Sequence, residues 1–438
     1  MPEPLRIALA GLGTVGVGVI RLIEANRDVI ADRAGRRIEI VAVTARERGR
    51  ERGVDLSPYA WVDDMQAMAA RADVDVVVEL MGGSDGPALT LARAAFDAGK
   101  GLVTANKAMV AHHGVELAEA AALANAPFAF EAAVAGGIPV LKSLREGTAA
   151  NALTRIYGVL NGTCNYILSE MERTGADFAD MLAEAQEEGY AEADPTFDIE
   201  GVDSAHKLAI LAAIGFGTRI DFASVRTEGI TQVTASDIAQ ADSLGYVIRL
   251  VGIATMIGPR PGEDDCRLLQ RVRPCLVPFR HPLGAVTGPT NAVVAEGDFT
   301  GRLLFQGAGA GDKPTASAVV ADLIDIARGQ AGAPFSVPVN QLVTAEQGDP
   351  GERVGRDYIR FTVADRPGVL AEITAAMRDA GVSIESLIQR GRDHDGGEVQ
   401  VAMVTHEGPE RCVTGALELL EGSPSLAAVP LVMPILGD

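Results

Sequence analysis

Cysteine is scarce in this 438-residue chain, and the four present, Cys164, Cys266, Cys275 and Cys412, form no C-x-x-C pair and no plausible metal set. That argues against a disulfide scaffold or a structural zinc site, and a reduced, cytoplasmic setting is expected. Basic residues are in deficit: 38 Lys and Arg against 59 Asp and Glu leave a formal charge of −21. A surface of that sign repels nucleic acid and anionic membranes, so neither is an expected partner, and any anionic ligand has to be held by a local cluster of donors. The opening stretch MPEPLRIALAGLG has no basic region followed by a long apolar run, and no signal peptide or transmembrane helix is read.

What is present is an ordinary globular composition, 47% hydrophobic and 22% charged with 49 glycines, in a chain too long for one core. LRIALAGLGTVGVGVIRLI reads as a buried strand, a glycine turn and a helix; RIEIVAVTA, VDVVVELMG and GLVTANKA are further strands, with helical stretches such as GPALTLARAAFDAG between them. Continuous Val, Ile and Leu strands alternating with helices imply a parallel sheet covered on both faces. The fold class is α/β, with a Rossmann-type, doubly wound nucleotide-binding domain over 1–130 and an α+β catalytic and dimerisation domain over 131–313. In the second domain TRIYGVL, YVIRLVGIATM, CRLLQRVRPCLV and AVVAEG read as strands, and residues 164–188 and 202–215 as helices. A helix over 314–330 is expected to pack back on the first domain, 331–356 to form a connector, and 357–438 to form a βαββαβ unit that folds largely alone.

GLGTVG has the dinucleotide-binding spacing after a strand and at the start of a helix. Gly11 permits the tight turn, Gly13 lets the backbone approach a pyrophosphate, and Gly16 allows close helix packing, while Thr14 and Val15 open the helix whose amides meet the phosphates. An NAD site usually places an acid about 20 residues on, at the end of the second strand. Here Thr44 and Ala45 stand there, followed by Arg46, Arg48 and Arg50. The pattern favours a 2′-phosphate, hence NADP with NAD as a second option, and Arg46 is the candidate contact. A solvated basic loop is the competing reading.

Lys107 in TANKA follows the fourth strand, near the carboxyl ends of the strands where ligands bind. A lysine that carries a proton to a developing alkoxide is expected to have its pKa lowered by desolvation or cationic neighbours. EADPTFDIEGVDSAHK gathers Glu192, Asp194, Asp198, Glu200, Asp203 and Lys207 just before the apolar run LAILAAI. Asp203 and Lys207 are four apart and share a helix face, and the apolar run implies a buried helix whose first turn faces an interior cleft.

ELMGGSDGP, TANKA, EAAVAGGIPV, GVLNGTCNYIL and DPTFDIEGVDSAHK, taken together and in this order, resemble the homoserine dehydrogenase family from residue 5 to about 330; the segment from about 357, with DRPGVL in its first loop, resembles an ACT domain. The resemblance implies reversible NAD(P)H-dependent reduction of L-aspartate 4-semialdehyde to L-homoserine, in threonine, methionine and isoleucine biosynthesis. It implies that Lys107 is the catalytic lysine and also touches the cofactor, and that Asp203 and Lys207 orient the reacting group. Glu192 and Asp198 would hold the amino and hydroxyl ends of the substrate, with Asn161, Gly162 and Thr163 at a turn beside the cleft. Gly309, in GAGAGDKP, would contact cofactor and substrate. Glu131 and the backbone carbonyls of Val134, Gly136 and Ile138 match a monovalent cation site for Na+ or K+, with an ordinary strand-to-helix turn, its glycines there for clearance, as the competing reading. Asp194 and Glu200 match no family role and are expected to be solvated. In the ACT segment Asp365 and Gly368 are the effector candidates, with L-threonine the implied effector and a purely structural dimerisation module the competing reading. A homodimer or homotetramer is expected.

Two other functions remain open on the sequence. Cys164 could serve as the nucleophile of a phosphorylating semialdehyde dehydrogenase, which requires a thiolate and a nearby base. The chain could also be a nucleotide-dependent amino acid sensor without catalysis, against which the intact Lys107 and Lys207 stand.

Overall fold

The computed structural model describes residues 2–258, 266–390 and 397–437. Six parallel strands form the first sheet, in the order Ala60–Trp61, Ile38–Thr44, Leu5–Ala10, Val76–Glu79, Gly101–Thr104 and Phe128–Ala129. Numbered along the chain this is the 3-2-1-4-5-6 order of dinucleotide-binding folds, with its switch point between Leu5–Ala10 and Val76–Glu79. The strands are apolar at successive positions because both faces are buried. Ala8, Ala10 and Val77 belong to one core cluster with Ala88, Leu91 and Met109, whereas Ile7, Leu9, Val76 and Val78 join Val19, Ile20 and Val319 in another. The helix Asp312–Ala327 brings Ala316, Val319 and Leu323 into that second cluster, against the first helix, Thr14–Ala25. It starts two residues before the expected boundary, with Asp312 and Lys313 in its first turn.

The second sheet runs Gly301–Ala308, Thr290–Gly297, Leu153–Val159, Tyr246–Ile257, Arg267–Pro278, Leu431–Ile435, Val354–Ala364, Glu398–Thr405 and Ile384–Arg390. The helix Val202–Phe216 lies as expected, but the single helix expected over 164–188 is two, Gly162–Thr174 and Phe178–Glu187. The break comes at Gly175, whose φ of 73° ends the first helix in the left-handed conformation.

The C-terminal unit has the expected strand and helix order; the turn expected between its second and third strands falls on residues 391–396, outside the described residues. Its first strand begins at Val354, inside the stretch expected as connector, and that stretch also contributes Glu346–Gln347, which pairs with Arg267 and Leu268. The unit has a core of its own, but it does not stand apart from the rest of the fold. Its helices Val369–Asp379 and Glu410–Leu419 cover one face of its sheet, but Tyr358, Ala402, Val404 and Met433 on the other face belong to the same core as Ile238 and Ala241. The Tyr358 hydroxyl lies 2.9 Å from both Asp237 Oδ1 and Gln240 Oε1, and Arg360 forms an ion pair with the fully buried Asp237. Its strand Leu431–Ile435 also joins Arg267–Pro278 in the second sheet, through the pair Leu276 and Ile435. Removing the unit would take the Tyr358 and Arg360 partners from Asp237, leaving its carboxylate with Thr234 alone.

Candidate active site

The glycine turn is shaped by contacts that exclude side chains. Gly11 has φ of 103°, and a Cβ there would stand 2.5 Å from Leu80 O; one on Gly16 would stand 2.0 Å from Gly11 O. A Cβ on Gly13 would have nothing within 4 Å, so this backbone is open to an approaching pyrophosphate, and Thr14 and Val15 begin the helix behind it. The residues present thus fit a dinucleotide. At the end of the second strand Thr44 is buried and its carbonyl accepts from Gly11 N at 2.9 Å. Arg46, Arg48 and Arg50 are exposed beyond it. Arg52, which the sequence did not single out, donates through Nε to Leu12 O at 3.2 Å and stacks with Arg48 over Trp61, at 5.8 and 5.7 Å from the ring centre. It ties the basic loop to the glycine turn.

The second half of the site grows from the buried helix Val202–Phe216. Asp203 is 3% and Lys207 8% exposed, four residues apart on one face. Asp203 Oδ1 lies 2.9 Å from Lys107 Nζ, and Oδ2 accepts from Lys207 Nζ and Asn161 Nδ2, each at 2.8 Å. Lys207 Nζ also donates to Leu160 O at 2.7 Å, a carbonyl shared with Asn291 Nδ2 at 2.8 Å. Asn161 is more than a residue at a turn: its Nδ2 reaches Asp198 Oδ1 at 2.7 Å, and its Oδ1 caps the helix Gly162–Thr174 by accepting from Cys164 N. Thr163 donates to Tyr190 O at 2.7 Å, with Asp198 Oδ2 3.4 Å away, and Gly162 packs so closely on Pro289 that a Cβ would come within 2.9 Å of its carbonyl oxygen. Lys107, Lys207, Asp203, Asp198, Gly162 and Thr163 therefore converge. Glu192 is exposed, as are Asp194 and Glu200.

The electrostatics correct one expectation. The Asp203 carboxylate, against the opposing effect of burial and with help from Asp198 and Glu192, raises the Lys107 pKa rather than lowering it. Burial works against the Asp203 carboxylate, but the two lysines outweigh it and hold its pKa well below the usual range. Burial, then repulsion from Asp203, raises Asp198. The Lys107 side chain is 34% exposed, against 4% for that of Asp203.

Cys164 sits beside this cluster but is fully buried, with its thiol 3.1 Å from Asp198 O. Burial pushes its pKa well above the ordinary thiol value, the opposite of what a nucleophile needs. Cys164→Ala is expected to retain most of the turnover, measured at saturating substrate, and to lose only about 1 kcal/mol of stability.

The late glycine loop closes on the same cluster. Gly309 is buried with Asn291 against it, Asn291 Cγ lying 2.1 Å from where a Cβ would be. Gly136, at φ of 54° after Ala135 at 55°, is pressed on the other side of that loop, 2.6 Å from Gly309 C in the same sense. The Glu131 carboxylate accepts from Leu141 N and Lys142 N, each at 2.9 Å, so its side chain is occupied by backbone amides. Burial and the neighbouring Asp322 raise it to about 7. Val134 N approaches Glu131 O at 3.4 Å, and Ile138 N donates to Ala135 O. Among the described residues no group of three His, Cys, Asp or Glu is set to hold a metal. Asp365 directly follows the first strand of the C-terminal unit, which ends at Ala364, and Gly368, at φ of 98°, caps the following helix, so both stand at one strand-to-helix turn. No helix among the described residues is long and apolar enough to cross a membrane.

Residues 11–131 match the family model described as homoserine dehydrogenase, NAD binding domain; residues 139–324 match the homoserine dehydrogenase model, and 358–418 the ACT domain. The chain is 43% identical over 429 residues to the homoserine dehydrogenase of Pseudomonas aeruginosa, covering 96% of each chain. It is 41% identical to that of Corynebacterium glutamicum, covering 99% of this chain and 96% of the relative. A crystal structure of a homoserine dehydrogenase from Thiobacillus denitrificans superposes with a TM-score of 0.90 at 40% identity, covering 99% of this chain and 98% of that one. With the parallel nucleotide-binding sheet and the glycine turn, these matches establish that the chain belongs to the homoserine dehydrogenase family.

Proposed function

We propose that Lys107 is the proton donor in the reduction of L-aspartate 4-semialdehyde to L-homoserine, and that Asp203 holds it in its charged form. The observation that carries this reading is the bridge from Lys107 Nζ through Asp203 to Lys207 Nζ, at 2.9 and 2.8 Å. The nicotinamide cofactor supplies the hydride. As the aldehyde carbon gains it, the carbonyl oxygen takes up a proton, which in this reading the Lys107 ammonium gives. Solvent then restores the lysine through its exposed side. Lys207, fixed by Leu160 O and Asp203, orients the carboxylate and adds positive charge beside the developing alkoxide. Glu192 and Asp198 take the amino and hydroxyl ends of the substrate, and Gly162 and Thr163 form the wall beside them. Incubation with the semialdehyde and reduced cofactor should yield homoserine by chromatography; consumption of the cofactor without homoserine would overturn the assignment.

NADP is the preferred cofactor in this reading, with NAD accepted less well, because arginines rather than an acid follow the second strand. Arg46→Ala should raise the KM for NADP roughly ten- to hundredfold while sparing that for NAD, since a charge-assisted hydrogen bond to the 2′-phosphate is lost. Arg52→Ala, by loosening Leu12, should weaken both cofactors. Equal effects of Arg46→Ala on both would contradict its role. Gly309, set against Asn291, contacts the cofactor and substrate side of the cleft. A Na+ or K+ ion bound near Gly136 would rest on the backbone carbonyls of Glu131, Val134, Gly136 and Ile138, since the Glu131 carboxylate is engaged elsewhere.

L-Threonine is the proposed effector, its carboxylate at the helix N-terminus after Gly368 and its ammonium at Asp365. The test uses the whole chain as a homodimer or homotetramer in a cytoplasmic buffer, because truncation would uncover Asp237. Threonine should inhibit with a coupling of about 1–3 kcal/mol, and Asp365→Ala should abolish the response. An enzyme indifferent to millimolar threonine would remove the effector assignment and leave the chemistry standing.

A further inference from the structure

The fourth strand ends VVVE, and Glu79 is fully buried beside the equally buried Val76, Val77 and Val78. A carboxylate there is costly unless its lone pairs are filled. Glu79 Oε1 accepts from Met81 N at 2.6 Å and Gly82 N at 3.3 Å, and Oε2 accepts from Thr104 Oγ1 at 2.6 Å. Thr104, its register partner on the next strand, is also fully buried. Having given its one proton to Glu79, its hydroxyl oxygen accepts from Asn106 N at 2.9 Å. Asn106 then divides its amide. Oδ1 accepts from Met109 N at 3.1 Å and caps the helix that starts at Lys107, while Nδ2 donates to Gly83 O at 2.7 Å.

We propose that Glu79, acting through Thr104 and Asn106, is a positioning residue that sets Lys107 against the cofactor side of the cleft. An acceptor-only side chain gives the chain of bonds one direction, from Asn106 N to Thr104 to Glu79, and so fixes two loops at once. One loop, Leu80–Gly83, lies under the glycine turn, where Leu80 O crowds Gly11; the other carries Lys107. The two line a cavity of about 570 Å3 with His112, Phe197 and His206. The inference rests on Lys107 being the proton donor, and adds what holds that lysine in place.

Glu79→Ala is expected to compromise folding, so the test uses Thr104→Val and Thr104→Ser in the full-length enzyme, with Lys107→Met assayed beside them. Thr104→Val keeps the shape of the side chain but breaks the bond chain. Its kcat should fall about tenfold or more, with KM for homoserine and cofactor within about twofold and the isotope effect on hydride transfer increased, because a misplaced donor affects chemistry before binding. Thr104→Ser should recover most of the kcat. A Thr104→Val enzyme with wild-type kcat, or a Thr104→Ser enzyme as impaired as Thr104→Val, would overturn the positioning role. Full turnover by Lys107→Met would overturn the proton-donor assignment itself and this inference with it.

Discussion

Lys107→Met is expected to lower turnover by about 10²–10⁴-fold while leaving cofactor affinity near that of the wild type, since general acid catalysis contributes on that scale. The lysine begins a helix and points its ammonium at Asp203, whereas the glycine turn that fits the pyrophosphate is made by other residues. Removing the ammonium therefore removes the proton and not the cofactor site. Stopped-flow turnover and a fluorescence titration with reduced cofactor separate the two quantities. A variant whose kcat stays near wild type would leave the alkoxide without its donor in this scheme.

Asp203→Asn should act through charge. In the folded enzyme Asp203 is the largest cause of the raised Lys107 pKa. Reduction needs the ammonium, so the wild-type rate should hold until the pH passes that raised value and then decline. Without the carboxylate the lysine loses its proton more easily, and the alkaline limb of the reduction profile should move to lower pH. The stability effect has its own sign. The Asp203 pKa is depressed on folding, so its contribution is present above the ordinary aspartate value of 3.8 and is lost as the pH falls below it. At neutral pH the substitution leaves two ammonium groups beside a neutral amide, and loss of one partner from a buried ion cluster costs about 3–5 kcal/mol. A pH profile superimposable on that of the wild type would show that Asp203 does not set the state of Lys107.

Much of this arrangement was legible in the sequence because it rests on spacing. Gly11, Gly13 and Gly16 after an apolar strand announce the turn, and Asp203 and Lys207 share a helix face by periodicity alone. The direction of the Lys107 pKa was not legible, because it depends on a carboxylate almost a hundred residues away that only the fold brings to 2.9 Å. Asn161 reads as an ordinary helix cap, and nothing local reveals that its amide also bridges Asp198 and Asp203. Glu79 could have been suspected, as an acid at the end of a run of three valines needs a partner. Tyr358 and Arg360 lie at alternate positions of a strand, a pattern that normally marks a solvent face, so the docking of the C-terminal unit on Asp237 had no local signal.

The central claim is tested most directly by following nicotinamide absorbance while the purified full-length enzyme is given L-homoserine with NADP or with NAD. The account predicts that reduced nicotinamide accumulates, faster at limiting concentration with NADP, and that Lys107→Met abolishes nearly all of the signal. No reduction of either cofactor by the wild-type enzyme in the presence of L-homoserine would contradict it.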